Sequence, residues 1–422
     1  MEDLSQSTGK SSRRAWLAKV GITPLVTLLA GQASANAAPM VSPSLSLSAK
    51  KLFQVKGTFI NAAYTHPISI STSKAVQAYV DRRLTPDRVN DEKMDSIRSE
   101  AKELYAKLIN ASVEEIAWVP STMVGENLIV SGLGLPGSPG RVVTDILHFE
   151  ASLYLYGQLA KQGLDVHVVR AKDNRIDLKD LEAAITPGTK LVAISLVSTV
   201  NGFQHDLKAV CDLAHSRGAL VYADVIQAAG AVPIDVKASG VDFCAGASYK
   251  WLMADFGIGF LYVRKDRLEQ LKRSQYGYRQ IETFTTHTFP FDEPGKVPYE
   301  FTAKNDIGGH FQVGTFASGT IAALRDSLSY LLETGVDKIQ AYRQPFLKKL
   351  QTELPKLGYA SMTPIESTSP ILAFAYKDAI HKLQPKLDAA GVTVTVYENR
   401  FRVSPSVYND MADMEKLIEA LS

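Results

Sequence analysis

The sequence predicts an α/β protein: a large domain built on a mainly parallel sheet, followed by a smaller C-terminal α+β domain. Three observations predict it. From about residue 140, strand-like and helix-like segments alternate. One strand segment, "KLVAISLVS" at 190–198, is almost entirely apolar, as expected of a strand buried on both faces. After about residue 315 the alternation stops, and two long helical segments precede a set of short strands.

The elements follow in order. Residues 70–118 read as helical, with "SKAVQAYVDRR" and "MDSIRSEAKELYAKLI" at helical spacing. "RVVTDIL" is a strand, and "SLYLYGQLAKQG" a helix ended by Gly163. "DVHVVRA" is a strand, and "DLKDLEAAI" a helix with Asp177 as its N-cap. "DLKAVCDLAHSRG" sets Leu207, Val210, Cys211 and Ala214 on one face and stops at Gly218. "ALVYADV" is the next strand. Beyond 315, "SGTIAALRDSLSYLLE" and "DKIQAYRQPFLKKLQTEL" are helices. They precede "PILAFAY", a helix at 378–390, "VTVTVYEN", "RFRVSPS" and a closing helix. The large domain is thus set at 58–314 and the small one at 315–422, with 38–57 a linker or N-terminal arm.

The bulk composition excludes several classes. The chain has 422 residues, 45% apolar and 21% charged, with net charge +2, so no basic surface for nucleic acid or acidic membrane is indicated. Two cysteines are too few for a disulfide framework, and eight histidines show no metal-ligand spacing. No metal is expected. "GLGLPG" at 132–137 matches G-x-G-x-x-G, but a helical segment precedes it where a dinucleotide site needs a strand. The N-terminus has a basic start, an apolar run from Val20 to Ala30 interrupted by Pro24, and small-residue sites "A-S-A" and "A-N-A". That run is too short for a permanent span. Arg13-Arg14 before Trp16-Leu17 resembles a twin-arginine export signal. Residues 1–37 are therefore expected to be a cleaved leader read by the twin-arginine export machinery, giving a periplasmic or secreted protein.

Candidate chemistry gathers at strand ends, where α/β sheets place ligands. "SLVSTVNGF" ends one strand with Ser198, Thr199 and Asn201. "YADVIQAAG" ends another with Asp224, and Gln227 follows. "VDFCAGASYKWLMADFGIGFLYV" sets Lys250 between two apolar runs. A buried lysine is costly to keep charged, so its amine is either paired or chemically employed. An aspartate and a lysine at neighbouring strand ends suit an organic cofactor with a cationic ring nitrogen and an aldehyde, which pyridoxal 5'-phosphate (PLP) has.

The run "YADVIQAAGAVPIDVKASGVDFCAGASYKWLMADFGIGFLYVRKD" resembles the class V aminotransferase family of PLP-dependent enzymes. "FINAAYTHP" is similar to the family's opening segment and "RFRVSPSVYNDMADMEKLIEAL" to its closing one. The "YKWL" texture resembles the isopenicillin N epimerase-like branch. The resemblance implies a PLP-dependent fold type I and a homodimer acting on an amino acid. Lys250 would form the internal aldimine and carry a proton at the substrate Cα. Asp224 would bond the pyridinium nitrogen and Gln227 the ring hydroxyl. Thr122 and Met123 would hold the phosphate, and Thr315 in "VGTFAS" would reach the phosphate of the neighbouring protomer. Arg402 would clamp the substrate carboxylate. Either Phe149 or His148 would stack on the cofactor.

Where the family often has serine, this chain has Ala247, with Ser248 or Tyr249 as substitutes. Where it often has asparagine, Thr199 stands and Asn201 is nearby. The segment "GVTVTVYENRFR" holds no cysteine, and Cys211 and Cys244 read as core, so a persulfide-forming desulfurase is disfavoured. A non-catalytic binding protein on this fold is disfavoured by the intact Lys250, Asp224 and Arg402. Epimerase, lyase and transaminase share the first carbanion and stay open. Tyr64 and His66 are candidate pocket residues, Trp251 a wall, and Tyr276, Tyr278 and His310 candidates for a second proton-handling group.

Overall fold

Seven strands form the central sheet of the computed structural model, which describes residues 49–85, 88–135 and 137–422. The proposed leader, residues 38–48 of the arm, and Pro136 of the "GLGLPG" motif lie outside the described residues. The strands are β1 (Ile116–Val119), β2 (Arg141–Asp145), β3 (Asp165–Val169), β4 (Thr189–Ser195), β5 (Leu220–Asp224), β6 (Phe243–Ala247) and β7 (Gly259–Val263). Their order is β1-β7-β6-β5-β4-β2-β3. The pairings from β6 through β3 are parallel; β7 runs antiparallel to both its neighbours. Strands β5 to β7 are buried nearly throughout, which is why they read as continuous apolar runs, whereas the edge strand β3 is largely exposed.

Helices cover both faces: α1 (Ile70–Leu84), α2 (Arg88–Leu108), α3 (Thr122–Gly132), α4 (Glu150–Lys161), α5 (Leu178–Ala184) and α6 (Leu207–Ser216). Short polar side chains start several of them. Ser121 caps α3 through the Val124 N–H, Asp177 caps α5 and Asp206 caps α6. The helical reading of 70–118 needs one correction. The second helix ends at Leu108, and the fully buried "IAWV" is the edge strand β1. Four apolar residues fit a strand or a buried helical turn equally, so periodicity could not decide. The "GLGLPG" motif starts at the last residue of α3, Gly132, as expected for a chance match.

The C-terminal sheet is antiparallel, in the order Ala360–Ser361, Leu372–Ala375, Arg400–Val403, Thr395–Tyr397. Its own core holds Phe346, Leu350, Phe374, Leu383, Phe401 and Leu417. The helix Ser318–Thr334 packs on α1 and α2, and its Ile321, Leu324, Leu328 and Leu331 join the large core. Thr58–Phe59 pairs in parallel with Val392–Thr393, tying the start of the described chain to the C-terminal part. Ile281–Thr286 and Tyr299–Ala303 form an exposed hairpin between Tyr278 and His310. Among the described residues, no helix is long and apolar enough to cross a membrane.

Candidate active site

Strands β4, β5 and β6 end side by side at Ser195, Asp224 and Ala247. A cavity opens at these ends. It is closed by Ser121, Thr122 and Met123 at the start of α3, by Phe149 at the start of α4, and by Thr199, Gln227 and Lys250. Gly125 lets α3 approach closely, since a Cβ there would lie 2.8 Å from the Ala245 Cβ on β6. Thr122 Oγ1 then accepts the Ala247 N–H at 3.0 Å, which fixes the helix start against the strand end.

Two charged side chains in this cavity are buried and poorly paired. Asp224 is 2% exposed, and its Oδ1 accepts the Ile226 N–H at 2.9 Å. Burial pushes its pKa up to about 6, against the opposing pull of His148. Lys250 is 9% exposed, and burial pushes its pKa down to about 8, with Asp224 opposing and Arg402 adding to the fall. Among the described residues, Lys250 Nζ has no hydrogen-bond or ion-pair partner; the Tyr249 ring centroid lies 5.6 Å away. The loop presenting it is tightly held. Met253 takes a left-handed φ of 59°, its N–H bonds Lys250 O at 2.8 Å, and Ser248 Oγ donates to the carbonyls of Asp255 and Ile258.

The surrounding polar groups are fixed by the protein itself. Gln227 Oε1 accepts the Trp251 indole N–H at 2.8 Å, and its amide donates to Ala63 O and Thr199 Oγ1. Arg402, 3% exposed, reaches in from the C-terminal sheet. It donates to Thr199 O and Oγ1 and to Thr395 Oγ1, while its Nε has no partner among the described residues.

Behind Phe149 lies a buried polar chain that sequence reasoning missed. Glu126 on α3 accepts from Ser152 Oγ at 2.6 Å and Tyr156 OH at 2.9 Å, and its Oε1 lies 3.3 Å from His148 Nε2. His148 Nδ1 accepts the Phe149 N–H at 2.9 Å and lies 2.8 Å from Ser195 Oγ in the cavity wall. The Phe149 N–H bond requires a lone pair on Nδ1, which puts the neutral ring's proton on Nε2, facing Glu126. No motif marks Glu126; its position four residues after Thr122, one turn along α3, was the available signal.

The structure brings together Lys250, Asp224, Gln227, Thr122, Met123, Thr199 and Phe149 around the cavity, with Arg402 beside it. It separates others. His148 is buried behind Phe149 rather than in the cavity wall, because Glu126 and Ser195 hold its two nitrogens. Ser248 is spent on its own loop and does not face the cavity. Asn201 is likewise spent, donating to the carbonyls of Asn174 and Met362 and accepting from Phe203 N. His66 is buried against Ser406 and Pro67; Tyr64, Tyr276 and Tyr278 are exposed away from the cavity lining, and His310 is no part of that lining. Thr315 is exposed and outside the cavity. Cys211 and Cys244 are buried core thiols; burial pushes Cys211 up to about 12 and Cys244 up as well.

A mainly parallel sheet of this order, with a buried unpaired lysine near a buried aspartate, defines a fold-type I PLP-dependent protein. The chain belongs to the class V aminotransferase family, whose model (Aminotransferase class-V) matches residues 88–415. It is similar to an uncharacterized aminotransferase of Schizosaccharomyces pombe, 29% identical over 377 residues and covering 86% of this chain and 91% of that one. An uncharacterized aminotransferase of Bacillus subtilis is 28% identical, covering 83% and 90%. In fold it is similar to the Escherichia coli cysteine desulfurase CsdA, with a TM-score of 0.76 at 22% identity, covering 88% and 96%. The cofactor is PLP, and the residues present fit it: an unpartnered buried amine for the aldehyde, a buried carboxylate for the ring nitrogen, and a helix start for the phosphate.

Proposed function

We propose that the chain is an enzyme that moves the Cα proton of an α-amino acid with a single base, Lys250, and so catalyses transamination or β-elimination. The observation that carries this is the titratable content of the cavity. Among the described residues lining it, Asp224, Tyr249 and Lys250 titrate, and Phe149 in the same lining holds no proton. Epimerisation by two bases needs a second proton carrier apart from Lys250, and this lining offers Tyr249, its neighbour in the chain, and Asp224, which would be taken by the ring nitrogen.

When bound, PLP supplies an aldehyde that captures amines and a ring that accepts the electron pair left at Cα. The chain's residues do the rest. Lys250, held near pKa 8 by burial, is neutral part of the time at neutral pH and can take the Cα proton and return it. Asp224 would hold the proton of the ring nitrogen. Gln227 and Thr199 would meet the ring's hydroxyl side, Thr122 and Met123 the phosphate, and Phe149 would exclude water from one ring face. Arg402 would bind the substrate carboxylate with its planar fork. Persulfide transfer finds no support, since both cysteines are buried outside the cavity.

The test is a PLP titration of the purified protein followed by visible absorbance, then borohydride reduction and peptide mass analysis. A pyridoxyl group on Lys250 is expected, and Lys250→Ala should lose both the band and turnover. Amino acids are then offered in D₂O. Oxo acid or eliminated product, with the recovered substrate keeping its chirality, supports the single-base reading; racemised substrate overturns it. The homodimer in which Thr315 serves the neighbouring protomer, and export by the twin-arginine route, belong to the same proposal. Sedimentation checks the first. Fractionation with N-terminal sequencing of the mature protein checks the second: a cytoplasmic chain keeping residues 1–37 would end it.

A further inference from the structure

The strand Arg400–Val403 carries a second guanidinium. Arg400 and Arg402 are two residues apart, so they lie on the same face of the sheet, about 6.6 Å apart along the strand. The register agrees: Arg402 stands opposite Thr395 and Arg400 opposite Tyr397 on the neighbouring strand. The Arg400 guanidinium lies 4.2 Å from the centre of the Tyr397 ring. Its Nε is buried without a partner, and no carboxylate pairs with either arginine among the described residues.

This arrangement has a cost. Two adjacent like charges repel, and Arg402 is nearly fully buried beside Lys250, a third cation. Neighbouring neutral hydroxyls and an aromatic ring offset only part of it. A substrate α-carboxylate would neutralise Arg402 and leave Arg400 as it stands. A second carboxylate, a few carbons farther along the same molecule, would meet Arg400. Tyr397 holds the Arg400 guanidinium over its ring, which restricts the fork before that bidentate contact forms.

We propose that the substrate is a dicarboxylic amino acid, its α-carboxylate on Arg402 and its side-chain carboxylate on Arg400. This rests on the reading of Arg402 as the carboxylate clamp, so the experiment has two arms. The first uses cofactor-free protein. Glutarate, with two carboxylates and no amine, should raise the thermal midpoint more than butyrate at equal concentration. Arg400→Gln should remove that advantage. The second uses PLP-loaded protein and reads dissociation constants from the shift of its visible band. L-glutamate and L-2-aminoadipate should bind at least about ten-fold tighter than L-norvaline, and Arg400→Gln should collapse that ratio toward one. Arg400→Lys should keep part of it, since the charge stays and the fork is lost. A loaded protein with no dicarboxylate preference overturns this inference and leaves the PLP reading standing. Equal weakening of both ligand classes by Arg400→Gln also overturns it, as a structural role would do that. A protein that takes up no PLP sinks the function proposal, and the glutarate arm then decides this one separately.

Discussion

Two aspartates occupy opposite ends of the central sheet, and both are buried. Asp242 precedes β6 at the amino ends of the strands. It accepts from His215 Nε2 at 2.7 Å, Val221 N at 2.8 Å and Arg267 Nε at 2.8 Å, with Arg264 Nη1 at 3.2 Å. Asp224 closes β5 at the carboxyl ends and accepts one backbone N–H, with a lysine nearby that does not bond it. The sheet treats the two carboxylates differently because one holds the fold and the other is kept for a ligand. Charge left unpaired in a dry cavity is costly to the empty protein and available to the loaded one.

The same substitution at the two sites should therefore have opposite signs. Asp242→Asn removes the charge that two arginines and a histidine surround, and should destabilise by about 3–5 kcal/mol in urea unfolding. A change under about 1 kcal/mol would mean the cluster is screened and the contrast is false.

Asp224→Asn should stabilise the cofactor-free protein by up to about 3 kcal/mol above pH 6 while weakening its hold on PLP. The sign follows from the raised pKa. Folding favours the protonated acid, so the native state holds more protons than the unfolded chain between 3.8 and about 6. Stability from this group is present below that window and lost as pH rises through it. The variant lacks this loss. Its advantage should be absent near pH 4, open between 4 and 6, and stay level above. Lys250 gives the complementary profile at higher pH. Its folded pKa of about 8 lies below the ordinary 10.5, so the empty protein should gain stability as pH rises from about 8 to 10.5, and Lys250→Met should abolish that gain.

This contrast explains what the sequence showed and what it hid. Asp224, Gln227 and Lys250 were legible because each ends a strand or follows one, and a strand end in an alternating α/β chain is a known place for chemistry. The alternation itself was legible because buried parallel strands are nearly all apolar. Strand β1 was lost because four apolar residues carry no period. Ser248 and Asn201 looked free in sequence, but their polar groups are committed to loop carbonyls brought close by the fold, and chain order does not show where a side-chain hydrogen bond goes. His148 and Phe149 were adjacent alternatives. The choice between them turns on Glu126, 22 residues away in sequence, which holds His148 inside. Nothing in the chain order announces the place of Arg400, because the Tyr397 ring beneath it is set by strand pairing.

Glu126 offers the finest test of the comparison, since it lies at the functional end of the sheet yet is paired. If location decides, Glu126→Gln should behave as Asp224→Asn and stabilise the empty protein. If pairing decides, it should destabilise, as Asp242→Asn does. We expect the second, by about 1–3 kcal/mol, because the amide keeps one acceptor for Ser152 or Tyr156 and loses the other. The effect is smaller than at Asp242 because the partners here are two hydroxyls and an imidazole rather than guanidinium groups. The variant also presents an N–H to His148 Nε2, which already carries the ring proton. Relief requires the proton to move to Nδ1, and that breaks the bond from the Phe149 N–H. Near-ultraviolet circular dichroism would register the loosened Phe149 wall, and faster release of PLP would accompany it. A destabilised variant with unchanged aromatic signal and PLP release would separate Glu126 from the cavity and confine it to packing α3 against α4.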